Sequence, residues 1–466
     1  MRFTGAPALH RLVLLVAAAV AVSCSSSTPT FRDTVPDPPR AQQRCDPAAT
    51  APTYRGAIPG QVEVELVDCG LTWASRLKFS PGGRYLLVAR LDGRVDAYRR
   101  TDAGWRRQDV PFYDLGDLGV ENESGLTGLF YGAGFDPDAR RPEERDVFLS
   151  YQTLVDDTPR NRIARLTFDR DGERAVGTSL EILYTSPEAT ADAHQVQDGV
   201  SFEYRDAPHI LVAFGDAKQA STALDLSQES RGKLLLMRRD GSDPLGPRPW
   251  PDHPLYAAIG VRNPYGMVML PESIDPQRRV LGVENGNDNN DRIWLAEVVD
   301  FGGEVHGKLS FNYDGNDQSR AWTVVRDVNT PGPFKRNAVL FPEISPPISP
   351  TSVALHPGKG PIPVPGAGQV VFVTAFFGKT GSPGNRPGKN IQFARVGNLQ
   401  GASYQVIDPL TPLVERTDAA DGEVYGHPVA MDVDPQTGDI FFADIVTGEL
   451  NRARLLPRGT TAQAGE

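Results

Sequence analysis

"RLKFSPGGRYLLVARLDGRVDAYRR", Arg76 to Arg100, decides the fold. It opens with a short apolar strand that ends in a turn with proline. A second apolar, β-branched strand follows at once, and a third ends in arginine. The same phrase returns five more times. The copies are "GAGFDPDARRPEERDVFLSYQ" with "NRIARLTFD" (Gly132 to Asp169), "GVSFEYRDAPHILVAFGDA" with "RGKLLLMRRDG" (Gly199 to Gly241), "GMVMLPESIDPQRRVLGVENGNDNNDRIWLAE" (Gly266 to Glu297), "SVALHPGKG" through "GQVVFVTAFFG" and "NIQFARVG" (Ser352 to Gly397), and "AMDVDPQTGDIFFADIVTGELNRARL" (Ala430 to Leu455). A multi-strand unit repeated more than three times marks a radial or solenoid architecture. With three or four antiparallel strands per copy, the expectation is an all-β, six-bladed β-propeller of antiparallel four-stranded blades.

The chain has 466 residues, which by length alone suggests about three domains. The repeat argues instead for one closed domain with long loops between strands, and such loops on a rigid scaffold are where function sits. Net charge is −11 and no basic tract occurs, which speaks against a nucleic-acid partner.

The first residues read as a targeting segment. Arg2 and Arg11 precede an apolar run, Leu12 to Val22, too short to span a bilayer but suited to a signal peptide. The run ends in "AVSC", similar to a bacterial lipobox with Ala21 where leucine is commoner, so Cys24 is the expected lipidation site. The expected organisation is a signal peptide over 1–23, a flexible Ser/Pro-rich tether over 24–55, the propeller over 56–458 and a disordered tail over 459–466. The protein is then exported and lipid-anchored to the outer face of the cell membrane or in the periplasm. Two cysteines remain after Cys24, and in an exported domain Cys45 and Cys69 are expected to pair.

Placing the copies in register locates a site. The last apolar residue of each first strand serves as the mark: Phe79, Phe135, Phe202, Met269, Leu355 and Val433. In five copies proline follows two residues later. First strands of a propeller line its central channel, so residues just before them ring one mouth. Trp73, His194, Arg262 with Asn263, Ser349 and His427 hold those places, a convergent polar set of the kind a ligand site needs. Asp216 ends the second strand of the copy that His194 introduces, within expected reach of it. A carboxylate on one imidazole nitrogen fixes the tautomer and makes the other nitrogen a better base, so the pair suits general-base work; it suits a structural cap of the blade as well. "ENGNDNNDRIW", Glu284 to Trp294, is the densest polar loop. It fits either a Ca²⁺ site with backbone ligands or a solvated Asn/Gly turn. His209 and His356 lie in strand patterns and read as structural.

The chain resembles the glucose/sorbosone dehydrogenase family of soluble, pyrroloquinoline quinone-dependent sugar dehydrogenases. The likeness runs from about Gly70 to Leu455. "LKFSPGGRYLLVARLDGRV", "GLTGLFYGAGFDPDARRPEERDVFLSYQ", "GVRNPYGM", "ENGNDNNDRI", "FNYDG" and "AFFGKTGSPGNRPGKNIQFARV" carry it, with "GVRNPYGM" the most specific. The resemblance implies that the quinone binds over the channel mouth with Ca²⁺, and that a histidine removes a sugar hydroxyl proton as hydride passes to the quinone. His194 and Asp216 match the family's base and its orienting aspartate. Arg262 and Asn263 match the pair that contacts quinone and substrate. Gly286 and Asn287 match positions whose carbonyls hold Ca²⁺, and Asp291 matches the acidic residue nearby.

The chain departs from the family at four places. "HQVQDG" puts Val196 and Gln197 where glycines usually follow the histidine, and His427 stands where an arginine commonly precedes "PV". The cofactor lysine has no clean counterpart, with Arg386, Lys379 or Lys389 as substitutes, and Asn285 replaces a histidine. The expected function is quinone- and Ca²⁺-dependent oxidation of a sugar or related alcohol, with electrons passed to an external acceptor. The alternatives are a non-catalytic propeller that binds a glycan or protein partner, and a metal-dependent lactonase-type hydrolase.

Overall fold

The computed structural model describes residues 53–457, apart from 120–122, 220–222, 224, 228–229, 247–249, 251, 274–277, 287–290, 298–308, 311–338, 345–347, 379–388, 400–404 and 417–426. The expected tether residues up to 52, the tail, Cys24, Cys45, Asn287, Lys379 and Arg386 lie outside the described residues.

Six sheets follow one another in chain order. Numbered by the copy that builds them, blades 1 to 6 have inner strands Ala74–Phe79, Leu126–Tyr131, Val196–Tyr204, Pro264–Met269, Pro350–His356 and Pro428–Val433. Middle strands such as Val370–Phe376 are buried along their whole length. A neighbouring blade covers each face, and an unbroken apolar run such as "VVFVTAF" is the sequence form of that position. The N-terminal segment completes two blades. Tyr54–Gly56 adds an outer strand to blade 5, and Val62–Asp68 pairs with Leu450–Leu455 as the fourth strand of blade 6. Among the described residues, blade pairing is antiparallel except where Leu309–Ser310 lies parallel to Tyr256–Ile259 of blade 3.

The buried apolar side chains form one main cluster per blade interface, with a seventh, small one between blades 1 and 6 at the mouth. Tyr85, Leu129 and Phe168 share the cluster between blades 1 and 2, while Phe202, Met267 and Trp294 share that between blades 3 and 4. Leu77, Phe79 and Phe441 close the ring between blades 1 and 6. Apolar burial of this kind supplies the main favourable term in folding.

All six inner strands carry a one-residue irregularity just below the mouth, between Ala74 and Arg76, Leu126 and Gly128, Val196 and Gly199, Pro264 and Gly266, Pro350 and Ser352, and Pro428 and Ala430. A bulge bends its strand and raises local twist. The displaced residues stitch the ring: Ser75 Oγ donates to the Leu126 carbonyl at 2.6 Å, Thr127 Oγ1 to that of Val196, and Thr351 Oγ1 to that of Pro428 at 3.2 Å.

Two sequence marks move: the inner strand of blade 3 runs on past Phe202 to the buried Tyr204, and that of blade 2 stops short of its mark. The inner strand of blade 2 ends at Tyr131, so Phe135 is not its last apolar residue. Phe135 lies in the following turn, where its N–H bonds the Gly132 carbonyl at 3.1 Å and its ring packs on Tyr131. The inserted Gly-Ala-Gly turn displaced the proline signal from the strand end.

Candidate active site at the channel mouth

Hydrogen bonds join neighbouring blades all round the mouth. The Trp73 N–H reaches the Ile445 carbonyl at 2.7 Å, Leu126 N–H that of Leu91 at 3.2 Å, and Asp216 N–H that of Arg262 at 2.7 Å. Gln152 Nε2 donates to the Ala191 carbonyl at 2.8 Å, Ser349 N–H to Asp291 Oδ2 at 2.6 Å, and His427 Nδ1 lies 2.5 Å from the Phe377 carbonyl. Residues far apart in sequence are thus held at fixed spacing.

His194 is buried at the start of blade 3, with its backbone in the left-handed region at φ 53°. Two neighbours hold that conformation. Ala217 N–H bonds the His194 carbonyl at 3.1 Å, and Gly215 approaches so closely that a Cβ there would lie 2.4 Å from the same oxygen. His194 Nδ1 stands 2.6 Å from Asp216 Oδ1, which also accepts the Lys218 N–H at 3.0 Å. The carboxylate oxygen fixes the Nδ1–H tautomer. Nε2 is left with its lone pair, and it makes no hydrogen bond among the described residues.

Arg262 and Asn263 lead into blade 4. Arg262 is held at both ends: its N–H donates to Glu284 Oε1 at 2.5 Å, and its guanidinium reaches the Asn285 carbonyl at 3.0 Å. Beneath it, Arg292 grips both oxygens of Glu284 at 2.5 and 2.6 Å in a fully buried pair. The Asn263 carbonyl accepts the Asn285 N–H at 3.0 Å. The side-chain Oδ1 atoms of Asn263 and Asn285 are buried and have no partner among the described residues. Asp291 ties the next loop down. Its Oδ1 accepts the Gly286 N–H at 3.1 Å, while Oδ2 accepts Ile348 and Ser349 at 2.5 and 2.6 Å. Burial pushes the Asp291 carboxyl up to about 6, against the pull of those three donors.

The far side of the mouth is aromatic. The His427 ring stacks on Phe377 at 3.8 Å between centroids, beside Trp73, Val429 and Ile445. The His427 Nδ1–H donates to the Phe377 carbonyl. Burial brings His427 down to about 4, and the cations Lys389 and Arg416 act in the same direction. His427 therefore supplies a neutral ring in place of the family's arginine.

The sequence departures resolve in part. Val196 points into the apolar cluster between blades 2 and 3 with Phe214 and Ile259, away from the mouth. Gln197 is fully buried, with both amide atoms unpartnered among the described residues. His209 and His356 are structural groups, each bonded through both ring nitrogens: His209 to the Ala207 carbonyl and the Leu245 N–H, His356 to the Gly438 carbonyl and the Gly358 N–H. Cys69 is disulfide-bonded. Sequence reading put Glu284 in a polar loop, whereas it ends a strand and, with Arg292, positions Arg262; it missed Arg292 and Arg416. Glu284 ends the second strand of blade 4, opposite Pro264, as Asp444 ends that of blade 6, opposite Pro428; aligning second-strand ends would have found it.

A closed six-bladed ring with an oriented imidazole, a fixed guanidinium and buried amide oxygens at one mouth defines a propeller built around a small-molecule site. Residues 71–335 match the family model described as glucose/sorbosone dehydrogenase, and the chain belongs to that family. No curated protein matches it in sequence. The apo form of the soluble aldose sugar dehydrogenase of Escherichia coli is similar in structure at 16% identity, with a TM-score of 0.57 over 85% of this chain and 100% of that one. The holo form of the pyranose dehydrogenase PQQ domain of Coprinopsis cinerea is similar at 12% identity and 0.57, over 88% and 99%. A calcium structure of a Trichoderma reesei carbohydrate-active enzyme is similar at 15% identity and 0.53, over 86% and 97%. At such identities these likenesses bear on the fold alone.

Proposed function

We propose that the protein is a pyrroloquinoline quinone- and Ca²⁺-dependent sugar dehydrogenase of the cell envelope. The carrying observation is the His194–Asp216 pair at 2.6 Å, which leaves Nε2 open at the mouth, with Asp216 N–H bonded to the Arg262 carbonyl at 2.7 Å. In this reading Nε2 takes the proton of the substrate hydroxyl, and Asp216 stabilises the imidazolium that results. The residues present fit the cofactor. Arg262 and the Asn263 amide would donate to the quinone, and the buried unpartnered oxygens of Asn263 and Asn285 would accept from the substrate's hydroxyls, since an unmet buried acceptor costs about 1–3 kcal/mol. Gly286 and Asn287 would offer backbone carbonyls to Ca²⁺, which accepts such ligands. When bound, the quinone supplies the two-electron acceptor that no side chain provides. Arg386, the substitute the sequence offers for the family's lysine, would be the cation for its carboxylates.

Family membership and the names of the similar structures support this reading: a sugar dehydrogenase, a PQQ domain and a calcium structure. The proposal also takes Cys24 as a lipid anchor, Cys45 as the partner of Cys69, an external quinone or cytochrome as the final acceptor, and a tether that stops at residue 52 rather than 55, because Thr53 bonds Glu449 and Tyr54–Gly56 is a strand of blade 5. The neutral His427 favours a second reading, a binding propeller without turnover. Among the described residues no group of three or more His, Cys, Asp or Glu is placed to hold a metal ion, so the hydrolase reading draws no support there.

The test is reconstitution of purified protein with the quinone and Ca²⁺, then dye reduction with a panel of aldoses and polyols. Turnover on any of them supports the dehydrogenase. Quinone binding without turnover favours the binding propeller, and no spectral change on adding quinone sinks the cofactor assignment.

A further inference from the structure

The bulge register puts six residues at one level of the axis, just below the mouth. Five are small: Gly128, Gly199, Gly266, Ser352 and Ala430. The sixth is Arg76. Its side chain leaves blade 1 and reaches the three blades opposite. Nη1 donates to the Thr351 carbonyl of blade 5 at 3.0 Å and to its own Ser75 carbonyl at 3.0 Å. Nη2 donates to the Tyr265 carbonyl of blade 4, and the guanidinium lies 5.5 Å from the Tyr265 ring centroid. Nε is 3.8 Å from Asp198 Oδ2 of blade 3, an oxygen that Lys78 also approaches at 3.6 Å. Arg76 is only 2% exposed.

Five blades meet the axis with a small residue, so ring closure does not in itself require a long one. Burying a guanidinium is costly unless it is paired and hydrogen-bonded. Here the bonds fall on two carbonyls next to the candidate site. Tyr265 follows Asn263 by two residues, and Thr351 follows Ser349 by two. Asn263 and Ser349 in turn accept the Asn285 and Phe377 N–H groups.

We propose that Arg76 is a positioning residue that closes the axial channel and pins the inner strands of blades 4 and 5, setting the spacing of Arg262, Asn263 and Ser349 at the mouth. Its bearing on turnover rests on the sugar-dehydrogenase reading; its bearing on the two strands does not. The guanidinium reaches the two blades with two separate nitrogens, Nη1 and Nη2, a span that the single nitrogen of an ammonium does not reproduce.

Hydrogen–deuterium exchange is compared in the wild type, Arg76→Gly and Arg76→Lys. The glycine variant should exchange at least tenfold faster in peptides containing Asn285 and Phe377. Exchange at Ile445, whose acceptor is the His427 carbonyl of a blade Arg76 does not touch, should stay unchanged. Millimolar methylguanidinium should restore Arg76→Gly, whereas Arg76→Lys should stay fast. In reconstituted enzyme, kcat should fall by about tenfold to a hundredfold with KM less affected. Acceleration spread evenly over all six blades, or none, overturns the proposal. If the glycine variant does not fold, Arg76→Gln carries the same comparison. Failure of the wild type to bind the quinone overturns the enzyme reading and leaves exchange to judge Arg76.

Discussion

His194 Nδ1 and Asp216 Oδ1 lie 2.6 Å apart, and the two residues belong to one blade while the Asp216 N–H is bonded to Arg262 of the next. The orientation of the His194 imidazole is therefore set partly by Arg262. In reconstituted enzyme His194→Ala should lower kcat by about 10²–10⁴-fold, with the quinone still bound. Asp216→Asn should cost turnover of the same order by releasing the tautomer. A normal rate in Asp216→Asn would make the pair a cap of the blade.

Gly215 gives a second route to the same base. A methyl there would meet the His194 carbonyl at 2.4 Å and its Cα at 2.9 Å. Gly215→Ala should displace the histidine backbone, cut turnover strongly and destabilise the fold by about 1–3 kcal/mol. Steady-state rates and urea unfolding of the same sample check both halves.

Glu284 is buried against Arg292 and the Arg262 N–H. Glu284→Gln takes the carboxylate from a buried guanidinium, a change that destabilises by about 3–5 kcal/mol. Urea unfolding should show a midpoint far below that of the wild type. A midpoint within error of it would mean that Arg292 is satisfied without the charge.

Acid should loosen the ring through its histidines. His356 donates at Nε2 to the Gly438 carbonyl and accepts at Nδ1 from Gly358 N–H, so only the neutral form satisfies both. Burial lowers His356 to about 4, His427 to about 4, and His209 below its ordinary value. The unfolded chain takes up these protons near pH 6.5, before the folded one does. The histidine contribution to stability is thus complete above about pH 6.5 and is lost as pH falls towards 4. Thermal midpoints at pH 7, 5.5 and 4.5 should decline less steeply in His356→Gln than in the wild type. Parallel slopes would remove His356 as a source of acid sensitivity.

The repeats made the fold and much of the mouth legible. Strand identity came from patterning, and placing copies in register brought His194, Arg262, Asn263 and His427 to one end. Blade 2 resisted because a turn of Gly132 to Gly134 separates Tyr131 from Phe135, and proline spacing does not report where a strand ends. Glu284 was read as part of the polar loop from Glu284 to Trp294, because a buried charge at a strand end looks like a solvated one until its partner Arg292 is seen. Arg76 was hidden for a different reason. Its five counterparts are small, and only the shared bulge brings all six to the same height on the axis.

The fourth strand of blade 6 is Val62–Asp68, and Arg452 pairs with Glu65 across 387 positions of sequence. This has a kinetic meaning. At about 5–20 residues per second, the strand waits roughly twenty seconds to more than a minute for its partner to be synthesised. Through that interval Val62, Val64 and Leu66 form an unpaired edge, the kind of surface other chains add to. Pairing of this strand with Leu450–Leu455 is among the longest-range contacts of the fold, so this step should form late and limit how fast the protein matures and how readily it aggregates while doing so.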